Sequence, residues 1–428
     1  MAFIHEHFIL PLSDLLKGES VHKYLRLLRE AERWSDEQML HFQQDRLRKL
    51  IFHAAKQVPF YRDWFHSHSI DPLSATLDQL PIVDKALMRR EGIERFAAEG
   101  FPERERLSSR SSGSTGEPFT FYESRESYSV NMAVKLHSWF KAGYRLGDRY
   151  MKIANSQRQG HLKQLQDCIN HCIYVPFYTM DEASLRAILD RIEQEKPLYI
   201  RSYPAPLHLL AQYRKSHSGY HHRPRHIMTT GATLTESHRA DIERAFGCDI
   251  IDSYSCEGTP ATYETTVHDG YCVANLYGII ETIDSHGQPV NDGIGHVVST
   301  DLWNLAHPFI RYNTQDLVEV KAGRIQRIMG RESESIAVPN GTMITIHNLT
   351  KFFANDFAGI EAYRMIYRKD KTVEFQLVVN QTFAQEDIQR IANHWHEVLE
   401  LPVSVRLVDD IPLMHNNKRK TIINETTD

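Results

Sequence analysis

Residues 108–118 read Ser-Ser-Arg-Ser-Ser-Gly-Ser-Thr-Gly-Glu-Pro, a stretch with five serines, one threonine and two glycines. Gly113 and Gly116 allow the backbone to turn its N–H groups toward one point, and the hydroxyls add donors beside them. A concave array of this kind holds phosphate oxygens. It is not a Walker A loop, because no Gly-Lys-Ser or Gly-Lys-Thr ends it. The same composition is also typical of a flexible linker, so the rest of the chain decides between the two.

The residues around this stretch predict regular structure on both sides. Residues 123–141 have a helical pattern that Gly143 ends. A strand, a Gly/Ser-rich turn and a helix in that order would point backbone donors at a ligand. Upstream, apolar residues at helical spacing predict a helix packed on the core. These residues are Leu47, Leu50, Ile51, Ala54 and Ala55.

The middle of the chain alternates strand and helix patterns. Residues 198–202, 227–230 and 250–252 read as strands, and the last two flank a helix. Thr233 and Glu236 have the spacing of a capping box at its start, and Gly247 fits its C-terminal cap.

This alternation predicts a largely parallel sheet covered by helices. Ligands gather beyond the C-terminal ends of such strands. Residues 230–232 and 254–257 both stand at such ends.

The last third of the chain has a different pattern of predicted secondary structure. Short strands with Gly-rich turns run from Gly278 to Asp316, and a polar break at residues 332–335 could form a hinge. Beyond it, a strand at 373–379, an amphipathic helix around Trp395 and a strand at 403–408 predict a small α+β domain.

Composition excludes several classes of protein. The chain has 428 residues, enough for two or more domains, and its net charge of −5 favours neither nucleic acid nor an anionic membrane as a partner. Five scattered cysteines give no disulfide framework, which predicts a reducing compartment. No signal-peptide pattern and no run as long as a membrane span is present. We therefore expect a cytoplasmic globular protein.

With these pieces in order, a family resemblance emerges. Residues 111–118 resemble the phosphate-loop signature of adenylate-forming enzymes, and the chain more closely resembles the phenylacetate–coenzyme A ligase family and its relatives from capsular polysaccharide gene clusters. Further motifs follow in the family's order over nearly the whole chain: residues 58–61, 80–85, 300–302 with 308–312 and Asp316, Gly330-Arg331 and Asn417-Lys418.

The resemblance implies an α/β adenylate-forming fold. Residues 1–330 would form a large domain that binds ATP and the acyl group, with mainly parallel sheets covered by helices. Residues 331–428 would form a small mobile α+β domain, with a hinge near Arg331.

The resemblance also implies the site residues. The β- and γ-phosphates of ATP would be held by Ser111, Ser112, Gly113, Ser114, Thr115 and Gly116. Gly231, Ala232 and Tyr254 would flank the adenine and the acyl group, and Asp252 and Ser253 would belong to the same nucleotide site. Asp316 would accept hydrogen bonds from both ribose hydroxyls, and Arg331 would contact the ribose and steady the hinge.

Two residues would act in the chemistry itself. Glu257 would bind Mg²⁺, a hard cation that prefers oxygen ligands. Lys418 would bridge the substrate carboxylate and the α-phosphate and offset the charge of the transition state. Each residue also has a plainer interpretation: a surface carboxylate for Glu257, a turn-capping aspartate for Asp316 and a solvated basic tail for Lys418.

The chain departs from the family pattern at four places. The run from Tyr254 to Glu257 is one residue shorter than usual if Tyr254 is the family tyrosine. Gln315 replaces a glycine before Asp316, so we expect a different conformation of that turn. Glu117 stands where lysine is frequent, and Asn417 replaces a glycine. These changes favour a divergent branch over a housekeeping phenylacetate ligase.

Two cysteine–histidine groups raise the question of zinc. Cys168, His171 and Cys172 are expected to share a helix face, and Cys256, His268 and Cys272 lie close in sequence. Neither group supplies four ligands at a recognised spacing, so we predict packed thiols and no structural zinc.

The sequence thus predicts an ATP- and Mg²⁺-dependent enzyme that activates an aryl or aliphatic carboxylic acid as its acyl-adenylate. The acceptor of the acyl group would be the thiol of coenzyme A. Two alternatives stay open: transfer to an amine or hydroxyl acceptor, and a non-catalytic relative that binds nucleotide. A homodimer is compatible with the resemblance.

Overall fold

The computed structural model describes most of the chain. The described residues are 2–110, 120–154, 160–176, 182–256, 258–260, 262–266, 269–331, 335–339, 343–345, 349, 352–353, 357–412 and 420–426. They form two compact units, each made from two segments of the chain. The first unit is Met1–Asp148 with Ile251–Arg327, and the second is Arg149–Ile250 with Ile328–Asp428.

The N-terminal segment of the first unit is mainly helical. A π-helical turn, His5–Ile9, separates its first two helices, and a capping box at Ser35 starts the long fourth helix. The helices are α1 (Ala2–Ile4), α2 (Leu10–Lys17), α3 (Val21–Ala31), α4 (Asp36–Gln57), α5 (Pro59–Ser67) and α6 (Lys85–Glu91). The predicted face of α4 is confirmed, since Leu50, Ile51, Ala54 and Ala55 are buried in the core of this unit.

The segment around the Ser/Gly-rich stretch differs from the prediction. Strand β1 (Arg106–Arg110) pairs antiparallel with β2 (Thr120–Ser124), with Arg110 opposite Thr120, and helix α7 (Arg125–Lys141) begins only after β2. The predicted order of strand, turn and helix is therefore wrong. Residues 120–122 of the apolar run lie in β2, which returns along β1. The start of α7 is capped locally, because the Ser124 hydroxyl accepts from the Ser127 N–H.

Residues 149–250 form the parallel sheet that the alternating pattern predicts. Neighbouring strands follow the order β4-β3-β5-β6, and all the pairs recorded among these four strands are parallel. The elements are β3 (Tyr150–Ala154), α8 (His161–Ile169), β4 (Cys172–Pro176), α9 (Glu182–Glu195), β5 (Tyr199–Ser202), α10 (Pro204–Ser216), β6 (His226–Thr230) and α11 (Glu236–Phe246). One face of this sheet packs against the apolar sides of α9, α10 and α11.

The start of α11 corrects one prediction. Its N-cap is Thr235, whose hydroxyl accepts from the His238 N–H, so Thr233 and Glu236 do not form a capping box. Gly247 ends the helix in the left-handed conformation with φ of 65°, as expected.

Residues 249–331 follow with strands whose recorded pairs with one another are all antiparallel. Strand β7 (Asp249–Tyr254) pairs with β8 (Thr262–Glu264), and β8 pairs with β9 (Tyr271–Val273). A four-stranded sheet has the order β10-β11-β12-β13, formed by Gly278–Ile283, Gly293–Asp301, Tyr312–Lys321 and Arg324–Arg331. A register shift in β11 between His296 and Val298 faces the start of β12.

The C-terminal segment has its own α+β core. A sheet of order β18-β17-β16-β19 combines an antiparallel pair with two parallel pairs, and helix α12 (Asp387–Leu399) packs on it through Ile391, Trp395 and Leu399. Its strands are β16 (Ile360–Tyr367), β17 (Val373–Val379), β18 (Val403–Leu407) and β19 (Ile422–Asn424), and β14 (Ser335–Ala337) pairs with β15 (Met343–Thr345). The predicted strands and helix of this segment are confirmed.

Among the described residues, no helix combines the length and the apolar character needed to cross a membrane.

Candidate functional site

The centre of the site in the first unit is a buried hydrogen bond between two predicted nucleotide-binding residues. The Tyr254 hydroxyl lies 2.7 Å from Asp316 Oδ2 and donates to it. The same hydroxyl lies 3.3 Å from Thr314 Oγ1. Tyr254 ends strand β7 and Asp316 lies in β12, so the pair joins two segments that are 62 residues apart in the chain.

The charge state of this pair follows from its burial. Burial, together with the nearby Asp316 carboxylate, holds the pKa of Tyr254 well above its usual value of 10.0. The phenol therefore keeps its proton and remains a hydrogen-bond donor to Asp316 at neutral pH. A donor fixed in this way orients the carboxylate without adding charge.

The turn before Asp316 corrects a sequence prediction. The sequence predicted that Gln315, in place of a glycine, would change the conformation of this turn. Gln315 instead has φ of 61°, the left-handed conformation that a glycine would favour, so that prediction is wrong. The side chain of Asn313 stabilises the turn by accepting from the Gln315 N–H at 2.9 Å. The Thr314 hydroxyl accepts from the Asp316 N–H and donates to the carbonyl of Val297, at the register shift in β11.

A second contact holds the segment that follows β7 against the segment that precedes β12. Gly258 has φ of 64°, and a Cβ at this position would lie 2.3 Å from Cγ of Phe309. Only glycine allows this approach, and the Thr259 and Ser299 hydroxyls share a hydrogen bond next to it. Gly258 directly follows Glu257, which lies outside the described residues.

Arg311 connects the segment at residues 80–85 to the segment that leads to Asp316. Its guanidinium donates two hydrogen bonds to the carboxylate of Glu281 and further ones to the carbonyls of Asp78 and Leu80. Val83 exchanges backbone hydrogen bonds with Arg311 and Asn313. Arg311 is thus a buried anchor that fixes the backbone leading to Asp316.

Asp252 lies in a separate network on β7 and its neighbours. Its carboxylate accepts a 2.6 Å hydrogen bond from the Tyr271 hydroxyl, and its N–H donates to Glu264. Asp252 is buried, whereas Ser253 is half-buried. Their assignment to the nucleotide site stays a prediction, and Tyr271 is a partner that the sequence did not reveal.

The second unit holds the other predicted contact residues at the ends of its parallel strands. Gly231 directly follows β6, has φ of 74°, and a Cβ there would lie 2.9 Å from Cε1 of Tyr203. Tyr203 directly follows β5, the neighbouring strand. Glycine is therefore required by the aromatic ring beside it, and the adjacent Ala232 is half-buried. The only sequence signal for Tyr203 was its place at a C-terminal strand end.

Of the remaining predicted residues, only Arg331 belongs to the described part of the chain. Arg331 is the half-buried last residue of β13, close to the boundary between the two units at residue 327. The predicted residues Ser111, Ser112, Gly113, Ser114, Thr115, Gly116, Glu257 and Lys418 lie outside the described residues. The described strands β1 and β2 nevertheless bracket residues 111–119, and the end of β2 is fixed because the Ser124 N–H donates to Asn304.

The cysteines are free thiols, and one grouping differs from the prediction. Cys168 and Cys172 do not share a helix face, because α8 ends at Ile169 and Cys172 begins strand β4. Within the described part of the chain, no three His, Cys, Asp or Glu side chains are grouped so that they could hold a metal ion. His268 of the second predicted group lies outside that part.

Known proteins resemble this chain in sequence and in structure. No family model matches the chain. Protein CapK of Staphylococcus aureus is 22% identical over an alignment of 342 residues that covers 74% of this chain and 74% of that protein. A 2-hydroxyisobutyryl-CoA ligase in the postadenylation state, in complex with R3-HIB-AMP, superposes with a TM-score of 0.70 at 18% identity, covering 93% of this chain and 90% of that one.

Two further solved structures share the architecture. The same ligase in complex with 2-HIB-AMP and CoA in its thioesterification state has a TM-score of 0.55 at 17% identity, over 92% of this chain and 91% of that one. The anthranilate CoA ligase AuaEII with anthranoyl-AMP has a TM-score of 0.56 at 18% identity, over 73% and 64% of the two chains. The predicted fold is confirmed: this chain has the α/β fold of adenylate-forming acyl-CoA ligases.

Proposed function

We propose that this protein is an AMP-forming acid–CoA ligase of the phenylacetate–coenzyme A ligase type. It activates a carboxylic acid with ATP, releases pyrophosphate, and passes the acyl group to the thiol of coenzyme A. Carboxylates are poor electrophiles, and exchange of a carboxylate oxygen for AMP provides a good leaving group. The observation that carries the proposal is the buried Tyr254–Asp316 pair, held in a fold whose solved examples contain acyl-adenylates.

The nucleotide site begins with Asp316. A carboxylate has two oxygens and can accept hydrogen bonds from two ribose hydroxyls at once. The Tyr254 donor and the Gln315 turn fix the direction of this carboxylate before any ligand arrives. Such preorganisation lowers the entropy that binding costs. Arg331 contributes a further contact to the ribose in this proposal.

Three predicted elements complete the reaction. The hydroxyls and N–H groups of residues 111–116 hold the β- and γ-phosphates in this proposal, and the pairing of β1 with β2 places Arg110 opposite Thr120, on either side of residues 111–119. Glu257 supplies the carboxylate oxygen that Mg²⁺ prefers, and the tight contact of Gly258 with Phe309 fixes the backbone beside it. Lys418 offsets negative charge at the α-phosphate. Bound Mg²⁺ would contribute further charge neutralisation at the phosphates.

The acid lies beside Gly231 and Ala232 in this proposal. A residue without a side chain leaves room for a flat adenine or acyl group, and the Tyr203 ring next to Gly231 offers an aromatic surface. The second step then needs a thiol to attack the acyl carbonyl and expel AMP. Two of the similar structures contain coenzyme A, which supports a thiol acceptor. An amine or a sugar hydroxyl is the alternative acceptor.

The acceptor is tested by following AMP release. An acid that the protein accepts is incubated with ATP, with and without coenzyme A, and the products are analysed by mass spectrometry. We expect faster AMP release with the thiol and a thioester of matching mass. If AMP release does not change with coenzyme A but rises with an amine or a sugar, the assignment as an acid–CoA ligase is wrong and the alternative acceptor takes its place.

A further inference from the structure

The helical segment at residues 2–17 presents its large apolar side chains to water. Of the thirteen large apolar side chains that are exposed among the described residues, six lie between residues 3 and 16. Single exposed apolar residues are ordinary, whereas a contiguous group of them marks a contact surface. We call this group the N-terminal apolar face: Phe3, Ile4, Phe8, Leu12, Leu15 and Leu16.

The backbone brings these side chains to one side of the segment. The π-helical turn between α1 and α2 places residues five apart one turn from each other, and the rings of Phe3 and Phe8 contact each other with their centroids 6.3 Å apart. In the α-helix that follows, residues three or four apart share a side. This spacing aligns Phe8 with Leu12 and Leu16. The apolar face is therefore continuous along the segment.

The polar side of the same segment faces the rest of its unit. His5 and Asp14 are buried, and the Asp14 carboxylate accepts a 2.8 Å hydrogen bond from the His22 N–H. Glu6 accepts two hydrogen bonds from the guanidinium of Arg29. This arrangement reverses the usual one, in which a surface helix turns its apolar side to the core. Rotating the segment to bury its apolar face would break these bonds, so a covering surface has to come from outside.

The size of the face matches what a stable dimer needs. The six residues are between 54% and 79% exposed. At roughly 150–200 Å² for a side chain of this size, their exposed parts amount to about 600–800 Å². The largest apolar patch of a typical monomer has about 300–600 Å², and a protein–protein interface of standard size buries about 800 Å² on each partner.

The charge of the segment favours a second protein molecule over a membrane. Residues 1–20 contain three acidic residues, Glu6, Asp14 and Glu19, against the single cation Lys17, which gives a formal net charge of −2, and the whole chain has −5. Helices that lie on anionic lipid surfaces have polar faces rich in lysine and arginine. An acidic segment is repelled by such a surface. A symmetric contact requires only that a surface is complementary to itself, and an apolar face meets this condition.

We propose that the N-terminal apolar face is the contact surface of a symmetric homodimer, in which the face of one copy packs against the same face of a second copy. Such a contact closes after two copies and leaves no unmatched face. The inference goes beyond the proposed function and does not depend on it, because no residue of the face belongs to the candidate site.

The test is the oligomeric state of the full chain. Sedimentation velocity at micromolar protein should show a dimer for the wild type. Leu12→Glu and Leu15→Glu should each raise the dissociation constant of the dimer at least about a hundredfold, because a symmetric contact contains each new charge twice and removes it from water. Both leucines are exposed, so the variants should keep the far-ultraviolet circular dichroism spectrum of the wild type. Leu12→Met keeps an apolar side chain of similar volume and should remain dimeric.

Leu73→Glu is the matched control. Leu73 is 73% exposed, lies after α5 outside the apolar face, and its substitution should leave the dimer intact. A monomeric wild type, or a dimer that persists in both Leu12→Glu and Leu15→Glu, would overturn the inference. Flotation with vesicles of phosphatidylcholine and phosphatidylserine tests the membrane. A wild type that is monomeric and floats with these vesicles, and that loses this binding in Leu12→Glu, would assign the face to a membrane and also overturn the dimer.

Discussion

The Tyr254 hydroxyl donates a 2.7 Å hydrogen bond to Asp316 Oδ2, and this bond joins the end of β7 to β12. The contact between Gly258 and Phe309 joins the same two segments, and the buried Arg311 ties the second of them to residues 78–80. Three segments that are far apart in the chain therefore contact one another in the folded protein: residues 78–80, Tyr254 with Gly258, and residues 309–316.

Asp316 provides the first prediction. Asp316→Asn should weaken ATP binding, since an amide has one acceptor oxygen where the carboxylate has two. Hydrogen bonds to charged groups contribute about 1.5–3 kcal/mol each, so a loss of at least about tenfold in affinity is expected by calorimetry. Glu319→Gln is a matched control, because Glu319 lies in the same strand and forms a solvent-exposed ion pair with Arg327 at 3.6 Å. Equal affinities of the wild type and Asp316→Asn would remove Asp316 from the site.

Gly258 provides a stability prediction. In Gly258→Ala, the new Cβ meets Phe309 at 2.3 Å, whereas in Gly100→Ala it meets nothing within 4 Å. The two glycines have φ of 64° and 69°, so both substitutions carry the same left-handed strain. Overpacking in a closed contact costs about 1–3 kcal/mol. We expect Gly258→Ala to lower the free energy of unfolding in urea by that much more than Gly100→Ala. Similar losses in the two variants would mean that Phe309 moves away freely.

His307 predicts a pH dependence. It is buried between the rings of Phe121 and Phe309, and within the described residues neither ring nitrogen has a hydrogen-bond partner. Burial lowers the pKa of His307 from 6.5 to about 4. The unfolded chain therefore takes up a proton near pH 6.5, while the folded protein does not until about pH 4. Stability should be full above pH 6.5 and fall as the pH drops toward 4, by on the order of 3 kcal/mol.

The measurement is urea unfolding at pH 7 and pH 5 for the wild type and for His307→Leu. The variant should lose less stability than the wild type between pH 7 and pH 5. It lacks the imidazole that takes up a proton in the unfolded chain, but not in the folded protein, over this range. An identical pH dependence in both proteins would contradict the assigned pKa.

Lys418 provides a prediction about the two half-reactions. Lys418→Ala should slow adenylation by about 10²–10³-fold, as for other donors that stabilise transition-state charge. Supplied with acyl-adenylate made beforehand, the same variant should transfer the acyl group at close to the wild-type rate. Lys420→Ala and Arg419→Ala are the controls, since a solvated basic tail would make all three substitutions equally mild. Equal losses in both half-reactions would refute the role of Lys418.

Much of the fold was predictable because its signals are local. The spacing of apolar residues in α4 and the strand–helix alternation of residues 198–252 depend on neighbouring residues, and both predictions agree with the structure. Boundaries were less predictable, since they depend on which of several capping residues is used. Thr235 caps α11 in place of Thr233 for this reason.

The site was harder to predict because its contacts are distant in sequence. The Tyr254–Asp316 bond spans 62 residues, and no periodicity encodes it. The left-handed Gln315 could not be foreseen, because the Asn313 side chain that accommodates it acts only once the turn has formed. Tyr203 was missed because its importance arises from its contact with Gly231, which follows the neighbouring strand β6.

Acid-dependent ATP–pyrophosphate exchange tests the central claim most directly, because it detects adenylation whatever the acceptor is. The wild-type protein with Mg²⁺, ATP and labelled pyrophosphate is assayed across a panel of aryl and aliphatic acids, with Asp316→Asn in parallel. We predict exchange that requires an acid and falls at least about tenfold in the variant at subsaturating ATP. If ATP binds in calorimetry but no acid in the panel supports exchange, the protein binds nucleotide without activating acids, and the proposed function is contradicted.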